Sequence, residues 1–486
     1  MPVAGERNKV SSQRVTLAEK IAAMPQNKKE EPRMKKVLAL VMALMMVLGC
    51  VSFATAEDAK IKLVVWSFTN ELQGMIEKYY LPNHPELEIE FQIYPTDGNA
   101  YTTKVDNLLG ANATSEEAPD IFTLEAAFVK HYVEMDWTGD LKSIGFTDDE
   151  LSVAFPVMAQ IGQNSAGVQK GLSWQSTPGV LMYRASLAEK YLGITSPEEF
   201  QEKVADWDAF LETAEELKEK SEGACKMVIG AGDIWNAYQY QRSEPWVVDG
   251  KLVIDDELLD YEELCKALYE DDLTQKGGAW SEIWFAGMRG DNETLCYFLP
   301  TWGLHYTLKP NCVAGWDAEN PDSEENIKNA TENGTYGDWR LVDGPVAYSW
   351  GGTWMGINAA KAAQADDAKK QAMHDLIYFF SLNEDWLVQY AADSGDFVGS
   401  AKAVETILAN GGTPNPFLGG QDHYAIFANA AALVNGSLMS EYDDTINGLW
   451  NDYVTTPYTK GEKDLDTCLA EFKAAVAAAI TTITVE

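Results

Sequence analysis

The sequence predicts an α/β protein whose sheets are mainly parallel and flanked by helices. Short apolar runs such as Leu63-Val64-Val65-Trp66 alternate with amphipathic helical stripes. The alternation runs strand, helix, strand, helix, strand, and a parallel sheet with helices on its faces accommodates that order. At 486 residues, the chain exceeds one ordinary domain and suggests two or three.

From the N-terminus, residues 1–33 are polar, lack a packing pattern and read as a spurious or disordered extension. Residues 34–56 read as a signal peptide: Lys35 and Lys36 are followed by an apolar run from Val37 to Leu48 and an A-x-A site at Ala54-Thr55-Ala56. That run is shorter than the roughly 20 residues that cross a bilayer. Val47-Leu48-Gly49-Cys50 also resembles a lipobox, which makes Cys50 a lipidation candidate. The expected location is extracytoplasmic, either lipid-anchored at the cell surface through Cys50 or periplasmic or secreted after cleavage at Ala56. The alternative is that Met1 is the true start and the apolar run is an internal anchor.

Leu63 to Trp66 is then a strand covered on both faces. Leu72, Met75, Ile76, Tyr79 and Tyr80 form one helical stripe, ended by Pro82 and Pro85. Leu87, Ile89, Phe91 and Ile93 alternate with polar residues as a half-buried strand. The stripe Tyr101, Val105, Leu108, Leu109 leads through Pro119 to the strand Asp120-Ile121-Phe122-Thr123. Residues 200–220 read as one helix, followed by strand-like Met227-Val228-Ile229. Asp249-Gly250 marks a two-residue hairpin. Residues 316–337 read as a long surface loop, and amphipathic helices follow around residues 373–380 and 465–479.

Without residues 1–56 the chain keeps 28 basic and 71 acidic residues, a formal charge of −43. Such a surface repels nucleic acid and anionic headgroups, so neither is an expected partner; any membrane attachment would be through a lipid anchor. Five cysteines remain without CxxC spacing; a Cys296–Cys312 bridge is one option. The five histidines are scattered, so no metal or cofactor is expected. G-x-S-x-G, a P-loop and a complete G-x-G-x-x-G are absent, and no carboxylate pair is singled out for glycoside hydrolysis.

Several blocks together resemble the extracellular solute-binding proteins of bacterial ABC importers, family 1, the carbohydrate-binding, maltose-binding-protein-like type. They are Leu63 to Ser67, Pro119 to Glu125, Gly171 to Gln175 with Pro178 to Arg184, and Trp350 to Ile357. The resemblance spans roughly residues 61–400; residues 410–486 match none of it. It implies a two-lobe, periplasmic-binding-protein-like α/β fold, each lobe a mainly parallel sheet flanked by helices and joined by a hinge. Lobe one would be residues 57–170 plus 338–388, and lobe two 171–337 plus 389–486. It implies a monomeric, non-enzymatic receptor that captures a mono- or oligosaccharide and passes it to an ABC permease. Another small solute (peptide, polyamine or chelate) is the alternative, followed by an exported glycoside hydrolase.

A sugar presents an apolar C–H face and a rim of hydroxyls, so its site needs flat aromatics and charged acceptors. Fifteen tryptophans is many for this length. Trp66, Trp174, Trp235, Trp302, Trp350 and Trp354 lie at element ends or in the resembling blocks, with Gln175 and Gly352 beside them. Any one of them can equally be core packing. Glu125 ends a strand where open α/β sheets place ligands, and Asn70 follows the first strand by the same logic. Asp97 and Asp396, on turns, complete the candidate ligand-binding set, each also readable as a cap or turn residue.

Overall fold

The computed structural model describes residues 60–486. The extension, the signal segment and Cys50 lie outside them.

In chain order the strands are β1 (Ile61–Ser67), β2 (Leu87–Ile93), β3 (Ile121–Glu125), β4 (Gly171–Ser173), β5 (Pro178–Arg184), β6 (Val247–Val248), β7 (Lys251–Leu252), β8 (Cys296–Pro300), β9 (Trp339–Val342), β10 (Tyr348–Ser349) and β11 (Thr353–Ile357). The first sheet has the order β2-β1-β3-β11-β4. Its β1 runs parallel to both β2 and β3, while β11 is antiparallel to β3 and β4. Leu63 to Ser67 are all buried, as expected of an interior strand, whereas β2 alternates as an edge strand does. Buried Asp120 ties the sheet together: its Oδ2 accepts the Val64 N–H at 2.8 Å and its Oδ1 meets Lys369 Nζ at 2.8 Å.

The second sheet centres on β5, with β8 along one side and β9 and β10 along the other. Residues 226–229 extend it parallel to the approach to β8, and residues 273–277 lie parallel beyond them. Each sheet therefore has three parallel members followed by an antiparallel one. The strand-like reading of Met227-Val228-Ile229 fits this place.

The chain passes between the sheets through residues 174–177 and 350–352. Residues 396–399 lie alongside the first passage: Ser176 N–H donates to Phe397 O and Gly399 N–H to Trp174 O, at 3.0 and 2.8 Å. These contacts move the expected lobe boundaries. The β4 strand stays in the first sheet, so residues 171–173 belong with lobe one. Residues 339–349 pair with β5, so the return falls at 350, not 338. Helix Glu384–Ser394 and helix Ala401–Ala409 pack on the first lobe's side, through Tyr79 against Trp386 and Ala401 against Val153. Backbone pairing is what fixes these limits, and it is not encoded in local periodicity.

A third core joins Trp246 and Leu258 to Ile446, Trp450, Phe472 and Val476. It consists of the β6–β7 hairpin with helices Asp443–Trp450 and Leu465–Ala479. The hairpin turn has left-handed φ at both Asp249 (49°) and Gly250 (74°), as an Asp-Gly turn of type I′ requires. Further corrections concern residues 316–337, which contain helix Glu324–Asn333, and residues 200–220, where two helices meet at Asp206, the cap of the second. All five described cysteines are free and buried, so Cys296 and Cys312 are not bridged. Among the described residues no helix is long and apolar enough to cross a membrane.

Candidate functional site

The C-terminal ends of β1, β3 and β8 lie beside the passages 174–177 and 350–352. Thr123 Oγ1 donates to Ser67 Oγ at 3.2 Å, Ala126 N–H to Gly352 O at 3.2 Å, and Thr301 Oγ1 to Ser176 O at 3.0 Å. The space between the sheets there is the candidate cleft. Trp302 follows β8 directly, and its Nε1–H donates to Trp350 O at 2.7 Å. The two indoles meet edge to face at 5.1 Å. Trp280 lies parallel to Trp302 with 6.1 Å between ring centroids, and is 55% exposed. Trp280 has φ +65°, a conformation that bulky residues rarely adopt and that clusters at functional sites. Gly351 lets these rings approach: a Cβ there would lie 2.6 Å from Trp302 Nε1, and its φ is +80°. Trp280, Trp302 and Trp350 thus form an aromatic cluster, exposed at Trp280 and half-buried at the other two.

Acidic groups supply acceptors. Glu125, half-buried at the end of β3, caps helix Ala126–Glu134 by accepting the Ala127 N–H at 2.8 Å. Burial raises its carboxyl above the usual range, and the neighbouring Asp444 adds to this. Glu71, at the start of the helix after β1, is raised by burial alone. Asp396 is fully buried in the segment beside the first passage. Its Oδ1 accepts the Phe397 N–H at 3.0 Å, Oδ2 has no protein partner, and burial, then the Glu71 charge, push it up to about 7.

The structure brings Trp302, Trp350 and Gly352 together. Gly352 is buried at φ +116°, and its carbonyl accepts the Ala126 N–H at 3.2 Å, so passage and helix start are joined. Trp66 is buried at the end of β1 against Tyr94, and its indole nitrogen lacks a partner. Trp174 and Gln175 are buried within the passage itself. Asn70 is exposed after β1, while exposed Asp97 sits beyond the edge strand β2. Trp235 is half-buried against Tyr261 where the second and third cores meet.

Trp354 does not face the cleft. It is fully buried in β11 and its Nε1–H is committed to Met158 O at 2.9 Å, so its work is core packing. Sequence reasoning missed Trp280 and Glu71. Trp280 follows residues 273–277, a segment placed by a bridge and hydrogen bonds to residues 226–229, far away in the chain. Glu71 reads locally as an ordinary first-turn acid.

Residues 66–253 match the family model of bacterial extracellular solute-binding proteins. Solved structures share the fold at low identity. An extracellular solute-binding protein of family 1 superposes with a TM-score of 0.70 at 18% identity, covering 85% of this chain and 99% of that one. The sugar-binding protein MalE from the phytopathogen Xanthomonas citri gives 0.63 at 14%, over 85% and 95%. The galacto-N-biose-/lacto-N-biose I-binding protein of an ABC transporter from Bifidobacterium longum, in complex with lacto-N-biose, gives 0.63 at 14%, over 88% and 99%. These relatives are binding proteins, and the family acts outside the cytoplasm. Over residues 66–253 the chain is thus similar to the bacterial extracellular solute-binding proteins, and its two-sheet fold is the one these solved structures share.

Proposed function

We propose that this protein captures a carbohydrate in the cleft between its two sheets and delivers it to the permease of an ABC importer. The observation that carries this reading is the Trp280–Trp302–Trp350 cluster, exposed at Trp280, with Glu125 at the end of β3, where the following helix start is hydrogen-bonded to the passage that carries Trp350. Indole faces match the C–H face of a pyranose, and carboxylates accept hydroxyl protons. The sugars bound by similar proteins, lacto-N-biose among them, support the same class. Ligand draws the lobes together by hinge motion about the passages, and the permease reads the closed form. We further infer a monomer without catalytic activity, held near its permease by a lipidated Cys50 or released after Ala56. Intact-mass analysis of the exported protein distinguishes these two ends.

A thermal-shift and tryptophan-fluorescence screen tests the reading, with mono- and oligosaccharides set against peptides, polyamines and metal chelates. Sugars should raise Tm by mass action and change the emission. The reading fails if the sugars leave both unchanged while another class moves them. Appearance of hydrolysed sugar would instead assign a glycosidase.

A further inference from the structure

A second pocket, of about 240 Å³, opens in the second lobe, and its walls include none of the residues placed on the cleft above. One wall is formed by the C-terminal ends of the parallel segments 226–229 and 273–277 with the glycines that follow them. The other is residues 451–460 of the third core. Three independent observations point to a ligand.

The first is unexplained glycine. Gly230 and Gly277 are required by packing, because a Cβ would lie 2.0 Å from Gly277 O and 2.3 Å from Ile283 Cγ2 respectively. Gly232 and Gly278 are different: neither has positive φ, and a Cβ at either would meet no atom within 4 Å. Backbone and neighbours both tolerate a side chain there, and the glycines leave the pocket open. The second is an orphaned hydroxyl. Thr459 is 6% exposed and its Oγ1 has no hydrogen-bond partner among the described residues. An unmet buried polar group is unfavourable, and a bound acceptor would satisfy it.

The third is charge. Lys276 and Lys460 line the pocket and no carboxylate does. Lys460 has no ion-pair partner among the described residues, and Lys276 shares Asp272 with Lys226, at 3.3 and 2.7 Å. The free Lys460 ammonium, Lys276 with only a shared carboxylate, and a hydroxyl donor suit an oxyanion. The volume lies below the roughly 300–1,000 Å³ of pockets that take larger organic ligands.

We propose that this pocket binds a small oxyanion, the phosphate ion or the phosphate of a small monoester, through Lys276, Lys460 and the Thr459 hydroxyl. The proposal stands apart from the identity of the cleft's ligand. Its test is calorimetric titration of the purified protein with inorganic phosphate and, separately, glycerol 3-phosphate, at fixed ionic strength, with Tm followed in parallel. One saturable site is expected, with a raised Tm. Lys460→Met, at an exposed position that should leave folding intact, and Thr459→Val should each weaken binding about tenfold, the loss of one charge-assisted contact. Gly278→Val should abolish it by filling the space. Tighter binding of the monoester would assign an organic phosphate as the ligand, and tighter binding of phosphate the free ion. Absence of saturable binding by both probes at 10 mM (~10 mM being far above a specific site's need), or equal binding by all three variants, overturns the proposal.

Discussion

Trp302 is half-buried, with its N–H fixed by the Trp350 carbonyl and its ring alongside exposed Trp280, whereas Trp354 is sealed inside the first lobe. Trp302→Ala should therefore lower sugar affinity by at least about tenfold with little change in far-UV circular dichroism. Trp354→Ala should cost about 3–5 kcal/mol of stability in urea titration, as large core truncations do. Asp396 adds a pH dependence. The folded state holds its proton up to about pH 7, whereas the unfolded carboxyl releases it near its ordinary value of 3.8. Across that window the native state binds more protons, so stability falls as pH rises. Buried Asp233 and Glu262, also pushed up to about 7, act in the same direction. Tm should be lower at pH 8 than at pH 5, and Asp396→Asn should reduce the difference. An unchanged difference would remove Asp396 as a contributor. Residue type alone did not separate Trp302 from Trp354, because both stand beside strand ends and only tertiary packing shows which ring has a free face.

Among the elements, the passage through Gly351 and Gly352 links the second sheet to the first and sets the spacing of the aromatic cluster. Gly351→Ala would force a left-handed alanine and drive a methyl toward Trp302 Nε1. We expect a loss of about 1–3 kcal/mol of stability together with weaker sugar binding, measured by denaturant titration and fluorescence. Elements with strong local signals were legible in the sequence. The continuous apolar run of β1, the alternation of β2, the Asp-Gly hairpin and helix Leu465–Ala479 each state their conformation within a few residues. The place of residues 273–277 was not legible, because it depends on hydrogen bonds to residues 226–229. Helix Glu324–Asn333 was hidden by a polar composition that reads equally well as loop.

For the whole molecule, closure is the expected mechanical event. Saturating sugar should decrease the radius of gyration measured by solution scattering, and Trp302→Ala should require more sugar for the same decrease; a radius unchanged at saturation would argue for a rigid receptor. The order of strands and helices predicted a parallel sheet with helices on its faces, and the family resemblance implied two lobes, while the third core was in neither. It packs residues 246–258 against 443–485, segments nearly two hundred positions apart, and no local pattern reports such a pairing. The second pocket depends on the same remote pairing.

The five buried thiols carry a consequence for biogenesis. Burial pushes Cys225 and Cys312 up to about 12 and raises the other three as well, so these five present almost no thiolate to an oxidant in the native protein. A chain crossing a membrane unfolded would expose all five at once. Their vulnerability to mispairing would thus be confined to the interval between translocation and collapse, and speed of folding, more than any oxidoreductase, would be what keeps them reduced.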